Sequence, residues 1–154
     1  MNNPITLKIE HKKDYCILIM ALNENKHREI NLNDVMFSLV MLGNFFNNVK
    51  KQNIKFILVF DTRKVVNLGF LVMNNVTSFF IKNKDILENN AIGSCIYIEN
   101  LKSSTTLISF LSKIYEPVRP VGIIKNDLNR DSFINDCIEN TLENKVYVYK
   151  YYND

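Results

Sequence analysis

The chain has no tryptophan and only three prolines, four glycines, three cysteines and two histidines in 154 residues. So little proline and glycine leaves few built-in breaks, and long uninterrupted elements are expected. The glycines, Gly43, Gly69, Gly93 and Gly122, are scattered, and neither G-x-x-x-x-G-K-[ST] nor G-x-G-x-x-G occurs. A backbone cradle for phosphates of the usual kinds is thereby excluded, and with it the common routes to ATP or dinucleotide binding. Cys16, Cys95 and Cys137 are odd in number, far apart and set in apolar surroundings. No C-x-x-C pair offers metal-ligand spacing, so no metal is expected, and the three read as buried thiols in a reducing compartment. His11 and His27 lie in charged, loop-like sequence. A catalytic imidazole needs an orienting carboxylate, for which Glu10 or Glu29 would serve, and a nucleophile, for which no G-x-S-x-G elbow exists. No apolar run approaches the ~18 residues that span a bilayer, and Met1–Pro4 carries no signal-peptide pattern. A soluble cytoplasmic protein is the expectation.

Hydrophobic residues make up 47% and charged residues 23%, which is a globular balance. A length of 154 residues fits one domain, taken as residues 1–154, with a sizeable core. The net charge of +3 is too weak to indicate nucleic acid unless it clusters. Asparagine fills 23 positions and lysine far outnumbers arginine, the signature of an AT-rich genome rather than of a chemistry.

Hydrophobic periodicity places the elements. Ile5, Leu7 and Ile9 alternate with polar residues as a strand, and Lys12-Lys13-Asp14 turns into a second strand, Tyr15 to Leu22. Asn31 or Asn33 caps a helix reaching Gln52, whose stripe of Val35, Leu39, Leu42, Phe46 and Val49 is widened by Met36, Phe37, Val40, Met41 and Phe45. Asn53 breaks it. Phe56 to Phe60 reads as a central strand, and Asn67 caps a second helix with Leu68, Leu71, Val72, Val76, Phe79 and Phe80 inward. Asn83 to Asn90 adds a polar turn, Cys95 to Ile98 a strand, and Ser103 or Ser104 a third helix that Pro117 and Pro120 end. Val121 to Ile124 is a strand, Asp127, Asn129 or Asp131 starts a fourth helix, and Val146 to Tyr152 is a last strand. The order β-β-α-β-α-β-α-β-α-β gives a single-domain α/β fold, with a mixed, mostly parallel sheet, an N-terminal hairpin and flanking helices.

The richest stretch runs from Phe56 to Phe70: five apolar residues, Asp61, the polar turn Thr62-Arg63-Lys64, then a helix start. In open α/β sheets ligands and partners meet the loops at the carboxyl ends of strands. Asp61 there would bind a cation, accept from a ligand or cap its own loop, and a lone aspartate is a poor Mg²⁺ site. Arg63 and Lys64 follow at once and Lys125 ends a neighbouring strand, which makes a basic lip on one rim. Tyr147, Tyr149 and Tyr151 alternate on the last strand, either as an edge that pairs with a helix or a second copy, or as a face for stacked bases.

Hairpin, long helix and strand ending in aspartate resemble the STAS domain, the fold of bacterial anti-sigma-factor antagonists and of the cytoplasmic tails of anion transporters. The likeness covers about Ile5 to Ile138. Members read apolar strand, acidic residue, a short gap, then Asp-Ser-Ser-Gly or Asp-Ser-Thr-Gly at a helix start. Here Asp61 matches the strand end and Gly69 the closing glycine, while Val66 stands at the family's acidic position and Asn67 and Leu68 at its two hydroxyl positions. The resemblance therefore implies an interaction module without the phosphorylated switch. A second resemblance is to the CRAL-TRIO lipid-transfer domain. Ile96-Tyr97-Ile98-Glu99-Asn100-Leu101, a helix to Glu116-Pro117, and Pro120-Val121-Gly122-Ile123-Ile124 are similar to its later half, without the proline of its turn.

Three functions stand open. The favoured one is a non-enzymatic regulatory module that needs no cofactor and meets a protein partner, or its own copy through the C-terminal strand, with a rim of Asp61, Arg63, Lys64, Asn67, Leu68, Gly69 and Lys125. The second is a carrier of a lipid or other apolar molecule, marked by a continuous apolar cavity. The third is an enzyme using Asp61.

Overall fold

Alternation of apolar and polar residues at Ile5–His11 (β1) and a turn at 12–15 return the chain antiparallel along Cys16–Leu22 (β2), with Ile5 opposite Leu22 and His11 opposite Cys16. The structure, a computed structural model, describes residues 3–23, 26–67, 69–99, 117–142 and 148–152. The helix expected over 103–115 lies outside the described residues, as do Leu68 and Tyr147. Leu32–Gln52 (α1) leads to Phe56–Asp61 (β3), then Phe70–Lys82 (α2), Lys84–Asn90 (α3), Ala91–Tyr97 (β4), Val121–Ile124 (β5), Asp127–Glu139 (α4) and Val148–Lys150 (β6). The six strands form one sheet in the order β1-β2-β3-β4-β5-β6, antiparallel only at the first pair. The expected α/β fold with a mixed, mostly parallel sheet is what the chain adopts.

Capping explains where the helices begin and end. Asn31 accepts from the Asp34 amide while Asp34 accepts from the Asn31 amide, a reciprocal box that starts α1. Asn53 ends it in the left-handed region at φ 54°, where asparagine is tolerated better than most residues, and Asn140 ends α4 the same way at φ 55°. One start differs from expectation. Gly69, not Asn67, precedes α2, so the loop after β3 is longer than the capping pattern indicated. The fourth helix starts at Asp127, one of the expected positions, and Asn126 caps it by accepting from the Asn129 amide.

Helices cover the sheet on both faces. On the first, Val35, Leu39, Leu42, Phe46 and Val49 of α1, Val72 of α2 and Ile86 and Leu87 of α3 pack on Cys16, Leu18, Phe56 and Leu58. On the second, Phe133 and Ile134 of α4 pack on Ile17, Ile57, Val59, Cys95, Tyr97 and Ile124. β3 is thus buried on both sides, as its unbroken apolar run requires. Not every apolar residue of the helices turns inward: Met36, Phe37, Val40 and Met41 of α1 and Leu71 of α2 lie at the surface. The wide α1 stripe is therefore half core and half exposed. Buried Asn90 donates to the Val49 and Ile54 carbonyls and ties the end of α3 to that of α1.

Strand order never reverses, yet α1 lies on the first face and α4 on the second. The β2-α1-β3 and β5-α4-β6 crossovers are therefore of opposite hand, which is rare because parallel connections are almost uniformly right-handed. The consequence lies at the carboxyl rim. The chain leaves β3 toward one face and leaves β5 toward the other.

Gly122 fixes how closely α4 approaches. A Cβ at this position would stand 2.6 Å from the ring of fully buried Phe133. Gly122→Ala is expected to cost about 1–3 kcal/mol in chemical denaturation, and most of that penalty should vanish in a Phe133→Leu background. An undiminished penalty there would show that the ring is not the obstacle.

Candidate functional site at the carboxyl rim

Parallel register brings Ala21, Asp61 and Tyr97 side by side where β2, β3 and β4 end. The loop after β3 folds back on this row. Arg63 donates from Nε to Asp61 Oδ1 at 2.9 Å and from Nη2 to Oδ2 at 2.7 Å, and its amide donates to Oδ1 at 3.2 Å. Its guanidinium lies 4.1 Å from the centroid of the Tyr97 ring, a cation–π contact. The Tyr97 hydroxyl donates to Asp127 at the start of α4, and the Thr62 hydroxyl donates to the Tyr97 carbonyl at 2.6 Å. One chain of contacts thus joins the ends of β3 and β4 to α4.

Burial works to raise the Asp61 pKa, but the hydrogen bonds and charge of Arg63, with the charge of Lys64 behind them, outweigh it and hold the carboxyl below its usual range. Both oxygens are occupied by Arg63. The loop-capping role is what this geometry serves, and it makes Asp61 a weak proton acceptor. Burial, followed by the bond to Asp127, pushes the Tyr97 phenol up. Burial likewise drives the Cys95 and Cys137 thiols up to about 12, so neither is a ready nucleophile. Cys16 and Cys95 are buried as expected, and Cys137 is only half-buried.

A second loop lies across the first. The Arg28 amide donates to the Lys64 carbonyl at 2.8 Å, and the Val66 amide donates to the Arg28 carbonyl at 2.9 Å. His27 Nε2 meets Glu99 Oε2 at 2.9 Å. The partner of His27 is Glu99, not the Glu29 or Glu10 that its neighbourhood in sequence offered. Ala21, Leu22, His27, Asp61, Arg63, Lys64 and Glu99 line an open vestibule of about 420 Å³.

Beside it, between α1, α2 and the first face of the sheet, lies an apolar cavity of about 230 Å³. Leu39, Leu42, Leu58, Phe60, Val76 and Phe80 are among its walls, with Thr62 and Thr77 as polar points. Ala21, Leu22 and Asp61 belong to the walls of both spaces, so the two adjoin at the end of β3.

The rim expected from sequence is thus partly assembled. Asp61, Arg63 and Lys64 come together. Asn67 and Gly69 are exposed and line neither space, and Leu68 lies outside the described residues. Lys125 stands apart, its ammonium 4.5 Å from the centroid of the Tyr152 ring. His27 and Glu99 were missed. Glu99 follows the end of β4 as Lys125 follows β5, so the convergence of strand ends was the available signal. Among the described residues no three His, Cys, Asp or Glu side chains are placed to hold a metal ion, and no helix is long and apolar enough to cross a membrane. No protein-family model and no curated protein matches the chain.

The Asp61 pair has a signed pH consequence. Because the folded pKa is depressed, its stabilisation is fully present above the unfolded value of about 3.9 and is lost as pH falls through the lower folded value. The difference in thermal midpoint between wild type and Asp61→Asn should stay constant above about pH 5 and close below about pH 4. A difference that persists undiminished in stronger acid would contradict the pairing.

Proposed function

We propose that this chain is a non-enzymatic binding module that carries an apolar molecule in the space between α1, α2 and the sheet. One observation carries the reading: the apolar cavity of about 230 Å³ that adjoins the rim. Pockets for small molecules are concave, mostly apolar and marked by a few polar groups, which describes these walls. The carrier is one of the functions the sequence left open, and the resemblance to the CRAL-TRIO domain points the same way. The paired state of Asp61 speaks against the enzyme reading, since a carboxylate held low by Arg63 is poorly suited to general acid–base work near neutrality.

Val76→Phe tests this. The larger side chain should fill the cavity, abolish binding of an apolar fluorescent probe and raise stability by about 0.5–2 kcal/mol. Unchanged probe binding in the folded variant would overturn the reading.

The docking module retains support from a different observation. Val66, Phe70 and Leu71, 58%, 80% and 62% exposed, set three large apolar side chains around the start of α2. Exposed apolar clusters with an aromatic member mark protein-binding surfaces. Arg63 and Lys64 are poor probes of that surface, because Arg63 holds the loop itself. Phe70→Asp should instead abolish capture of a protein partner while changing stability by less than ~0.5 kcal/mol. Capture that survives the substitution would remove this surface from consideration.

A further inference from the structure

The vestibule limits what the polar end of a ligand can be. Its titratable side chains are His27, Asp61, Arg63, Lys64 and Glu99. Two carboxylates face two cations, so apart from His27 these described side chains carry no net charge. Much of this charge is already paired: Asp61 is held by Arg63 at 2.7 and 2.9 Å, Glu99 meets His27 at 2.9 Å, and Lys64 is not without a partner. Among the described residues a carboxylate or phosphate arriving here finds no surplus cation. It must also sit beside two carboxylates of its own sign. A cationic head meets the mirror-image difficulty at Arg63 and Lys64. Hydroxyl groups meet neither, because they donate to the remaining lone pairs of the carboxylates and accept from the N–H groups without breaking a pair.

The apolar cavity sets the other end. At about 230 Å³ it is smaller than the ~300–1,000 Å³ common for small-molecule pockets, so it suits a short chain rather than a bulky ring system. The two spaces adjoin, with Ala21, Leu22 and Asp61 common to the walls of both. We propose, resting on the carrier reading above, that the ligand is an uncharged amphiphile: a short apolar chain in the cavity and a hydroxylated, neutral head in the vestibule.

Titration calorimetry near pH 8 with mono-octanoylglycerol and with octanoate separates the two levels of the claim. Mono-octanoylglycerol should bind at least about tenfold more tightly than octanoate, which corresponds to one unit of log Kd. Glu99→Gln, at an exposed position where folding is little disturbed, should narrow that ratio by admitting the anion. Equal or tighter binding of octanoate would overturn the neutral head while leaving the carrier intact. A ratio unchanged in Glu99→Gln would show that the head does not lie in the vestibule. Binding of neither compound would count against the carrier reading itself.

Discussion

Arg63 turns the end of β3 into a fixed corner. A strand that ends in a carboxylate at the edge of a core leaves a charge with nowhere to go unless a donor returns to it, and Arg63 does so with its amide and with Nε and Nη2 of its guanidinium. Because the same guanidinium lies on Tyr97 and Tyr97 donates to Asp127, the corner also fixes where β4 ends and where α4 begins. The β2–α1 loop then lies on this corner through the main chain of Arg28. The vestibule is the open space these loops border.

The cavity has a compositional origin. Phenylalanines 45, 46, 56 and 79 crowd ring on ring around the start of β3, with centroids 5.4–6.2 Å apart in the contacting pairs. Toward the end of the strand the facing helices offer valines and threonine instead: Val35, Val72, Val76 and Thr77. Four rings crowd the amino half of this layer, and toward the carboxyl half these shorter side chains share the cavity walls with Phe60 and Phe80. Dense packing is the norm for protein interiors, so an apolar space that opens beside the rim is the feature of this layer that most needs a reason.

Much of the fold was legible because periodicity and punctuation agreed. The hairpin, α1 with its Asn31 cap and Asn53 stop, β3 and β5 all follow from apolar spacing and asparagine at the breaks. Where two signals competed, the local one misled. Asn67 is a better capping residue than Gly69, yet the loop is set by Arg63 reaching Asp61 and by Val66 bonding Arg28, contacts that no capping rule contains. The outward turn of Met36, Phe37, Val40 and Met41 was hidden because an apolar side chain carries no mark of whether a neighbour will cover it. At the site, Asp61, Arg63 and Lys64 were visible as a contiguous string. His27 and Glu99 are 72 residues apart, and only the sheet register brings them together.

The central claim is that the cavity holds a neutral apolar ligand. Native mass spectrometry of protein purified without detergent, compared with the same protein after organic extraction, tests it most directly. The account predicts an extractable adduct on the wild type that, once isolated, proves uncharged and short-chained, and that is missing from Val76→Phe. A wild-type spectrum showing only the bare chain, before and after incubation with excess mono-octanoylglycerol, would contradict it.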